Sequence, residues 1–200
     1  MFIDKVYDKG SWFVEQNNAD LDVVIIERIK KRDKQALHDL YMLYGQRLYA
    51  YAYRLTGDEN QAQDVLQETF ITAWKSAGKY RGDGRVLAWL LGITHHQAMK
   101  TFRHPMVDLS KVDEKKLDSN QDSPEDLIQA SQQKALIRAG LEKLSPDHRA
   151  VIELVFYQGL NLEEAAKVCQ CPVGTVKSRL SYARLHLKGI INRISMEGKL

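Results

Sequence analysis

The chain is predicted to be all-α, with two helical domains joined by an acidic, flexible linker. Three observations predict it. Apolar residues recur every three to four positions through most of the 200 residues, and no stretch alternates with the period of a strand. That recurrence fails from 104 to 126, where Pro105, Ser119, Asn120, Gln121 and Pro124 stand among acids. Residues 161–188 then read as two helices with a tight turn between them. These breaks divide the chain into a leader (1–20), a helical domain (21–103), the linker (104–126) and a second helical domain (127–195).

Residues 1–20 are mixed. They are a loose leader, or Trp12 and Phe13 dock on the body. Leu21, Val24, Ile25, Arg28 and Ile29 predict a short first helix, and Asp33 stands where it can cap the next. Leu37, Leu40, Tyr41, Tyr44, Leu48, Tyr51, Ala52 and Leu55 predict a long amphipathic helix that ends near Gly57. Tyr41, Tyr44 and Tyr51 are in phase with the leucines, so core packing is expected rather than a base-stacking stripe.

Residues 58–75 form a second long helix. Asp58 and Glu59 suit the positive end of its dipole. Ala62, Val65, Leu66, Phe70 and Ala73 make the buried stripe. Gln61, Asp64, Gln67, Glu68 and Ile71 make the other face, which is either a solvated surface or a docking surface. Gly78, Gly82 and Gly84 break the chain, and the loop between carries Lys79, Tyr80, Arg81 and Arg85. A third helix follows over 86–103. Val86, Trp89, Leu90 and Ile93 face its core; His95, His96, Lys100 and Arg103 face outward.

Beyond the linker, 125–144 reads as a helix. Ser145 and Pro146 cap and start another that runs to Tyr157 and ends at Gly159. Asn161 caps the next, and Glu164, three residues on, completes a capping box. Leu162, Ala165, Ala166 and Val168 give this helix its apolar face. Pro172 enters a last helix whose buried stripe is Val176, Leu180, Ala183 and Leu187. Ser178, Ser181 and Tyr182 face away from that stripe, Lys177 flanks them, and Arg179 and Arg184 lie at its borders. This is either a helical hairpin in a core or a helix-turn-helix, whose second helix enters a major groove.

Charge favours the second. The chain carries a net +3, distributed as +2 over residues 1–103, −4 over 104–133 and +5 over 134–200. A basic last third behind an acidic connector suits a polyanionic partner. Two cysteines, both in the tight turn, exclude a disulfide framework and fit a reducing cytosol. No signal peptide and no apolar run long enough to span a membrane is present. There is no phosphate loop, no H-E-x-x-H and no nucleophile elbow. His95 and His96 are adjacent and diverge, and Cys169 and Cys171 lack zinc-knuckle spacing. No cofactor, metal or small-molecule substrate is therefore expected, and neither is enzyme activity.

The order of elements resembles the extracytoplasmic-function (ECF) group of bacterial RNA polymerase sigma factors, within the sigma-70 family. The resemblance spans roughly residues 36–193. DVLQETF (64–70) followed by Ala73 and Trp74 is similar to the family's core-binding helix in region 2. Tyr80, Arg81 and Gly82, then Trp89, Leu90 and Ile93, are similar to its −10 reading segment. LSP (144–146) and PVGTVKSRL (172–180), with Ala183 and Arg184, are similar to region 4.

The resemblance implies roles. Asp64, Gln67, Glu68 and Ile71 would dock on core RNA polymerase. Lys79, Tyr80, Arg81, Arg85, His95, His96, Met99 and Arg103 would hold the −10 element of promoter DNA, where unstacked bases are captured. Thr175, Lys177, Ser178, Arg179, Ser181, Tyr182 and Arg184 would meet the −35 element, with Arg179 and Arg184 on phosphates. An anti-sigma factor is an expected partner. The chain departs from the family pattern at His95 and His96, where an Arg-Asn pair is usual. It also departs at Gly92, Lys100 and Tyr182. The two histidines suggest that protonation near pH 6.5 strengthens DNA contact. A free-standing helix-turn-helix regulator is the competing reading, but no dimerisation heptad supports it.

Overall fold

The computed structural model describes residues 19–103, 140–141 and 143–197, and every described element is helical. The leader, the linker and most of the expected 125–144 helix lie outside the described residues.

The front domain is built from α1 (Ala19–Lys30), α2 (Lys34–Thr56), α3 (Glu59–Ser76), a 3-10 turn (Ala77–Lys79) and α4 (Val86–Arg103). Local chemistry sets the starts and stops. The Asp33 carboxylate accepts from the Gln35 and Ala36 amides, and the Asp58 carboxylate accepts from the Gln61 amide. Each satisfies backbone donors that the first helical turn leaves open. Gly57 ends α2 at φ 73°, a left-handed conformation that costs a side-chain-free residue nothing.

The core of this domain is the stripe Leu40, Leu48, Tyr51, Ala52 and Leu55 of α2, closed by Ala62, Val65 and Ala73 of α3 and by Leu90 and Leu91 of α4. α1 lies across α2 through Ile25, Ile26 and Ile29. It is pinned by the Tyr44 hydroxyl, which donates to the buried Asp22 carboxylate at 2.6 Å.

Two expectations about side chains need correction. Tyr44 and Tyr51 are buried, but Tyr41 is 47% exposed. Its ring sits 5.2 Å from that of Phe70, at the rim of the α2–α3 pair rather than beneath it. His95 was expected on the outer face of α4 and is 7% exposed. The Tyr51 hydroxyl and His95 Nδ1 share a hydrogen bond of 2.9 Å.

The back domain consists of α5 (Pro146–Ile152), a π-helical turn (Glu153–Tyr157), α6 (Leu162–Cys169) and α7 (Val173–Glu197). Ser145 caps α5 with Pro146 in its first turn. Asn161 and Glu164 form the full capping box of α6, each side chain bonded to the other's backbone amide. The α6–α7 turn passes through Gln170 at φ 51°, a left-handed residue that reverses the chain in two steps before Pro172. Val176, Leu180 and Ala183 are buried as expected, and Leu187 is partly so.

The two domains touch. α4 packs on α6, and α2 packs on α5.

Candidate nucleic-acid interface

Three surfaces carry the residues singled out by sequence. The first is the outer side of α3. The stripe Ala62, Val65 and Phe70 holds the helix inward, so Asp64, Gln67 and Glu68 project into solvent, and Ile71 is half-buried at their edge. Beside them runs an apolar groove of about 690 Å³ between α2 and α3, lined by Leu37, Tyr41, Leu66, Phe70, Ile71 and Trp74. Of the groove's lining, the sequence reading puts Gln67 and Ile71 on the outer face of α3. Leu37, Tyr41 and Leu66 had been assigned to the core, because helical phase alone does not tell a rim from an interior. Arg32 stacks its guanidinium 5.4 Å from the Trp74 ring at one end of the groove.

The second surface is the loop 79–85 with α4. Lys79 and Arg81 are exposed, and Tyr80 is half-buried against Trp89, ring centres 5.2 Å apart. The Tyr80 hydroxyl donates to the Gly84 carbonyl at 2.6 Å, so the loop is folded back on itself with its cations outside. His96 is exposed and Met99 half-buried on α4. Arg103 ends that helix, and its side chain lies outside the described residues.

Arg85 and His95 belong to a different environment from the rest of this set. Arg85 makes a two-pronged ion pair with Glu164 of α6, Nε and Nη2 each 2.8 Å from a carboxylate oxygen, and Nη2 also donates to the Gly159 carbonyl. This pairing helps hold the Glu164 carboxyl below its usual range against the opposing effect of burial. His95 is buried beside the back domain. Burial pushes its pKa down to about 4, with Arg179 and His96 adding to the fall and Asp147 opposing it. His95 is therefore neutral at pH 6.5, and the expected protonation switch does not operate at this residue in this arrangement.

The third surface is α7. Lys177, Ser178, Ser181 and Tyr182 are exposed along one face, and Thr175 is half-buried at its start. The border arginines have partners within the domain. Arg179 pairs with Asp147 at 3.2 Å, and the Arg184 guanidinium lies 4.8 Å from the Phe156 ring. Tyr182 is flanked by two rings, His148 at 4.5 Å and His186 at 5.5 Å. Neither histidine was singled out by sequence. His148 lies 34 positions before Tyr182, and no local pattern links them.

Among the described residues no cluster of His, Cys, Asp and Glu is fit for a metal ion. Burial and the neighbouring Cys171 push the Cys169 thiol up to about 12, far from a thiolate at neutral pH. No described helix is long and apolar enough to cross a membrane.

Comparison with known proteins gives these surfaces a family. The sigma-70 region 2 model matches residues 40–104, and the sigma-70 region 4 model matches residues 140–189. The RNA polymerase sigma-H factor of Pseudomonas aeruginosa is 32% identical over 173 residues, which cover 82% of this chain and 90% of that protein. The ECF RNA polymerase sigma-E factor of Escherichia coli is 30% identical with the same coverage. The sigma factor RpoE from Bartonella quintana, solved with the anti-sigma factor NepR, is 26% identical. It covers 78% of this chain and 96% of its own, with a TM-score of 0.62. CnrH, solved with the cytosolic domain of CnrY, shares the fold at 22% identity and a TM-score of 0.63, over 86% of this chain and 97% of its own. With both sigma-70 regions matched in order, and relatives aligned over most of their length, the chain belongs to the ECF group of sigma-70 RNA polymerase sigma factors.

Proposed function

We propose that this sigma factor divides its work among the three surfaces, with α3 and its groove docking on core RNA polymerase. The loop 79–85 and the exposed side of α4 hold the −10 element, and the outer face of α7 reads the −35 element. The observation that carries the docking assignment is the row Asp64, Gln67 and Glu68, free in solvent beside an apolar groove. An apolar centre rimmed by charge is the composition of a protein–protein interface rather than of a solvated helix face.

The −10 surface combines exposed cations with aromatic rings, Tyr80 and Trp89, on which an unstacked base can rest. On α7, Ser178, Ser181 and Tyr182 are short or planar groups suited to base edges, and Lys177 suits a phosphate. The family-typical arginine at 182 is replaced by Tyr182, which forgoes a bidentate guanine contact worth about 1–3 kcal/mol. The base facing Tyr182 is therefore read without that contact. The factor carries no chemistry of its own and works in the cytoplasm. An anti-sigma factor is its proposed regulator, by analogy with the relative solved in complex with NepR.

Size-exclusion co-elution with bacterial core RNA polymerase tests the docking face. Wild type is expected to co-elute, and an Asp64→Ala/Glu68→Ala variant to lose most of the complex. Equal co-elution of both moves the face elsewhere. Sequence-specific duplex binding by the free chain, without any co-elution, replaces the sigma reading by a free-standing regulator.

A further inference from the structure

We propose that Arg32 is a positioning residue for docking on core RNA polymerase: it fixes the Trp74 ring at the end of the α2–α3 groove, from a backbone conformation that suits glycine better than arginine. The inference rests on the assignment of α3 and its groove to docking given above.

The turn between α1 and α2 has no need of an arginine. Arg32 stands at φ 64°, in the left-handed region. The backbone ends α1 by itself. The Arg32 amide donates to the Ile29 carbonyl at 2.9 Å, and the Asp33 amide donates to the Arg28 carbonyl at 3.1 Å. That pair of bonds is the Schellman ending of a helix, and its left-handed position is the usual place of glycine. A residue with a Cβ is strained there, and glycine is not. Strain of this kind persists where something else is gained from the side chain.

What the side chain does is reach across to α3, 42 positions on. Its guanidinium lies 5.4 Å from the centre of the Trp74 ring, and Nη1 donates to the Trp74 carbonyl at 3.3 Å. One residue therefore holds Trp74 both by the ring and by the backbone. The carbonyl belongs to the last turn of α3, where a cation also suits the negative end of the helix dipole. The planar guanidinium is the cation best shaped to lie on an indole.

Trp74 is half-buried and lines the groove with Leu37, Phe70 and Ile71. Arg32 is exposed and stands outside that lining, so its effect on a docked partner runs through Trp74. A tryptophan at the edge of an apolar groove is the type of side chain that anchors a protein interface. Fixing its ring before docking lowers the ordering cost of binding.

The turn makes the test selective, because Arg32→Gly removes the hold on Trp74 and relieves the backbone at once. Two quantities are measured on the full chain: the urea midpoint of the free protein, and the affinity of the N-terminally dye-labelled protein for core RNA polymerase. The variants are Arg32→Gly, Arg32→Asn (asparagine also tolerates the left-handed region), Trp74→Ala, and Arg32→Gly combined with Trp74→Ala. Asp64→Ala/Glu68→Ala serves as the independent probe of the docking face.

Arg32→Gly is expected to unfold at the same or a higher urea concentration and to bind core enzyme about twofold to fivefold more weakly, the size of one exposed cation–ring contact. In the Trp74→Ala background it should cause no further loss of affinity. A lower urea midpoint in both Arg32→Gly and Arg32→Asn would assign Arg32 to the fold and overturn the proposal. Unchanged affinity in both, with Asp64→Ala/Glu68→Ala weakened, overturns it while leaving the docking face in place. An undiminished loss in the Trp74→Ala background means that Arg32 touches the polymerase itself, and overturns the positioning role. Wild-type affinity in both Trp74→Ala and Asp64→Ala/Glu68→Ala removes the docking assignment, and the proposal with it.

Discussion

The two surfaces proposed to face promoter DNA are unequally available. On the back domain, Lys177, Ser178, Ser181 and Tyr182 stand in solvent along one side of α7. On the front domain, Arg85 is paired with the back domain and His95 is buried against it, while Lys79, Arg81 and His96 remain exposed. A duplex-reading surface needs only to be presented. A strand-capturing surface has to be entered, and here the entrance is shared with a neighbouring domain. Both surfaces grow from the same local chemistry of caps, glycines and helical stripes. What separates them is packing between domains.

Four substitutions break or sharpen this comparison. Tyr51→Ala is expected to have the largest effect. The residue is fully buried, and its hydroxyl is the partner of His95. The lost ring leaves a cavity at the point where the front domain meets the back, costing about 4 kcal/mol in urea unfolding. A loss under about 1 kcal/mol would mean that the domains repack around the gap.

Glu153→Gln comes next and reads the seam between the domains through pH. Burial raises the Glu153 pKa to about 7 from an ordinary value of 4.5, with Arg54 and Arg149 opposing the rise. The folded chain therefore holds this proton between pH 4.5 and 7 while the unfolded chain releases it, and stability falls as pH rises through that window. His95 works in the opposite sense: with a folded pKa of about 4 against 6.5, it makes stability fall as pH falls from 6.5 to 4. The two oppose each other between pH 4.5 and 6.5. Wild type should be nearly flat there, and Glu153→Gln should lose up to about 1.4 kcal/mol per pH unit on acidification. Parallel profiles from thermal unfolding at several pH values would place the titration elsewhere.

Asn161→Ala removes the cap of α6 and is expected to cost about 1 kcal/mol. The box is shared with Glu164, so the loss should appear in the Arg85 pairing as well, as greater susceptibility of the seam to protease. Lys177→Ala should leave stability unchanged. Its effect is a drop of about 1 in the slope of log affinity against log salt for duplex DNA, the signature of one lost phosphate contact.

Much of the fold was legible because its determinants are local. Asp33, Asp58, Ser145 and Asn161 each cap the helix that follows them, and Gly57 ends α2 where the stripe of Leu48, Tyr51 and Leu55 runs out. The outer face of α7 followed from the phase of Val176, Leu180 and Ala183. The residues misread are those whose fate is set by distant chain. His95 is polar and sits on the side of α4 opposite Trp89 and Ile93, so phase pointed it outward. The back domain covers that side. Tyr41 shares the phase of the α2 stripe but stands half-exposed beside Phe70, and it lines a groove instead of a core. The Arg85–Glu164 pair joins residues 79 positions apart, and the capping box had already supplied Glu164 with a sufficient local role.

In vitro transcription from fragmented genomic DNA of the host, with core RNA polymerase, tests the central claim most directly. Core enzyme alone is compared with core enzyme plus wild type, plus Tyr80→Ala/Arg81→Ala, and plus Lys177→Ala/Tyr182→Ala. Discrete transcripts that require wild type, and that both double variants lose while still co-eluting with core enzyme, are the predicted result. Transcripts that survive both double variants, or that never depend on the chain, would contradict the assignment of the two promoter-reading surfaces.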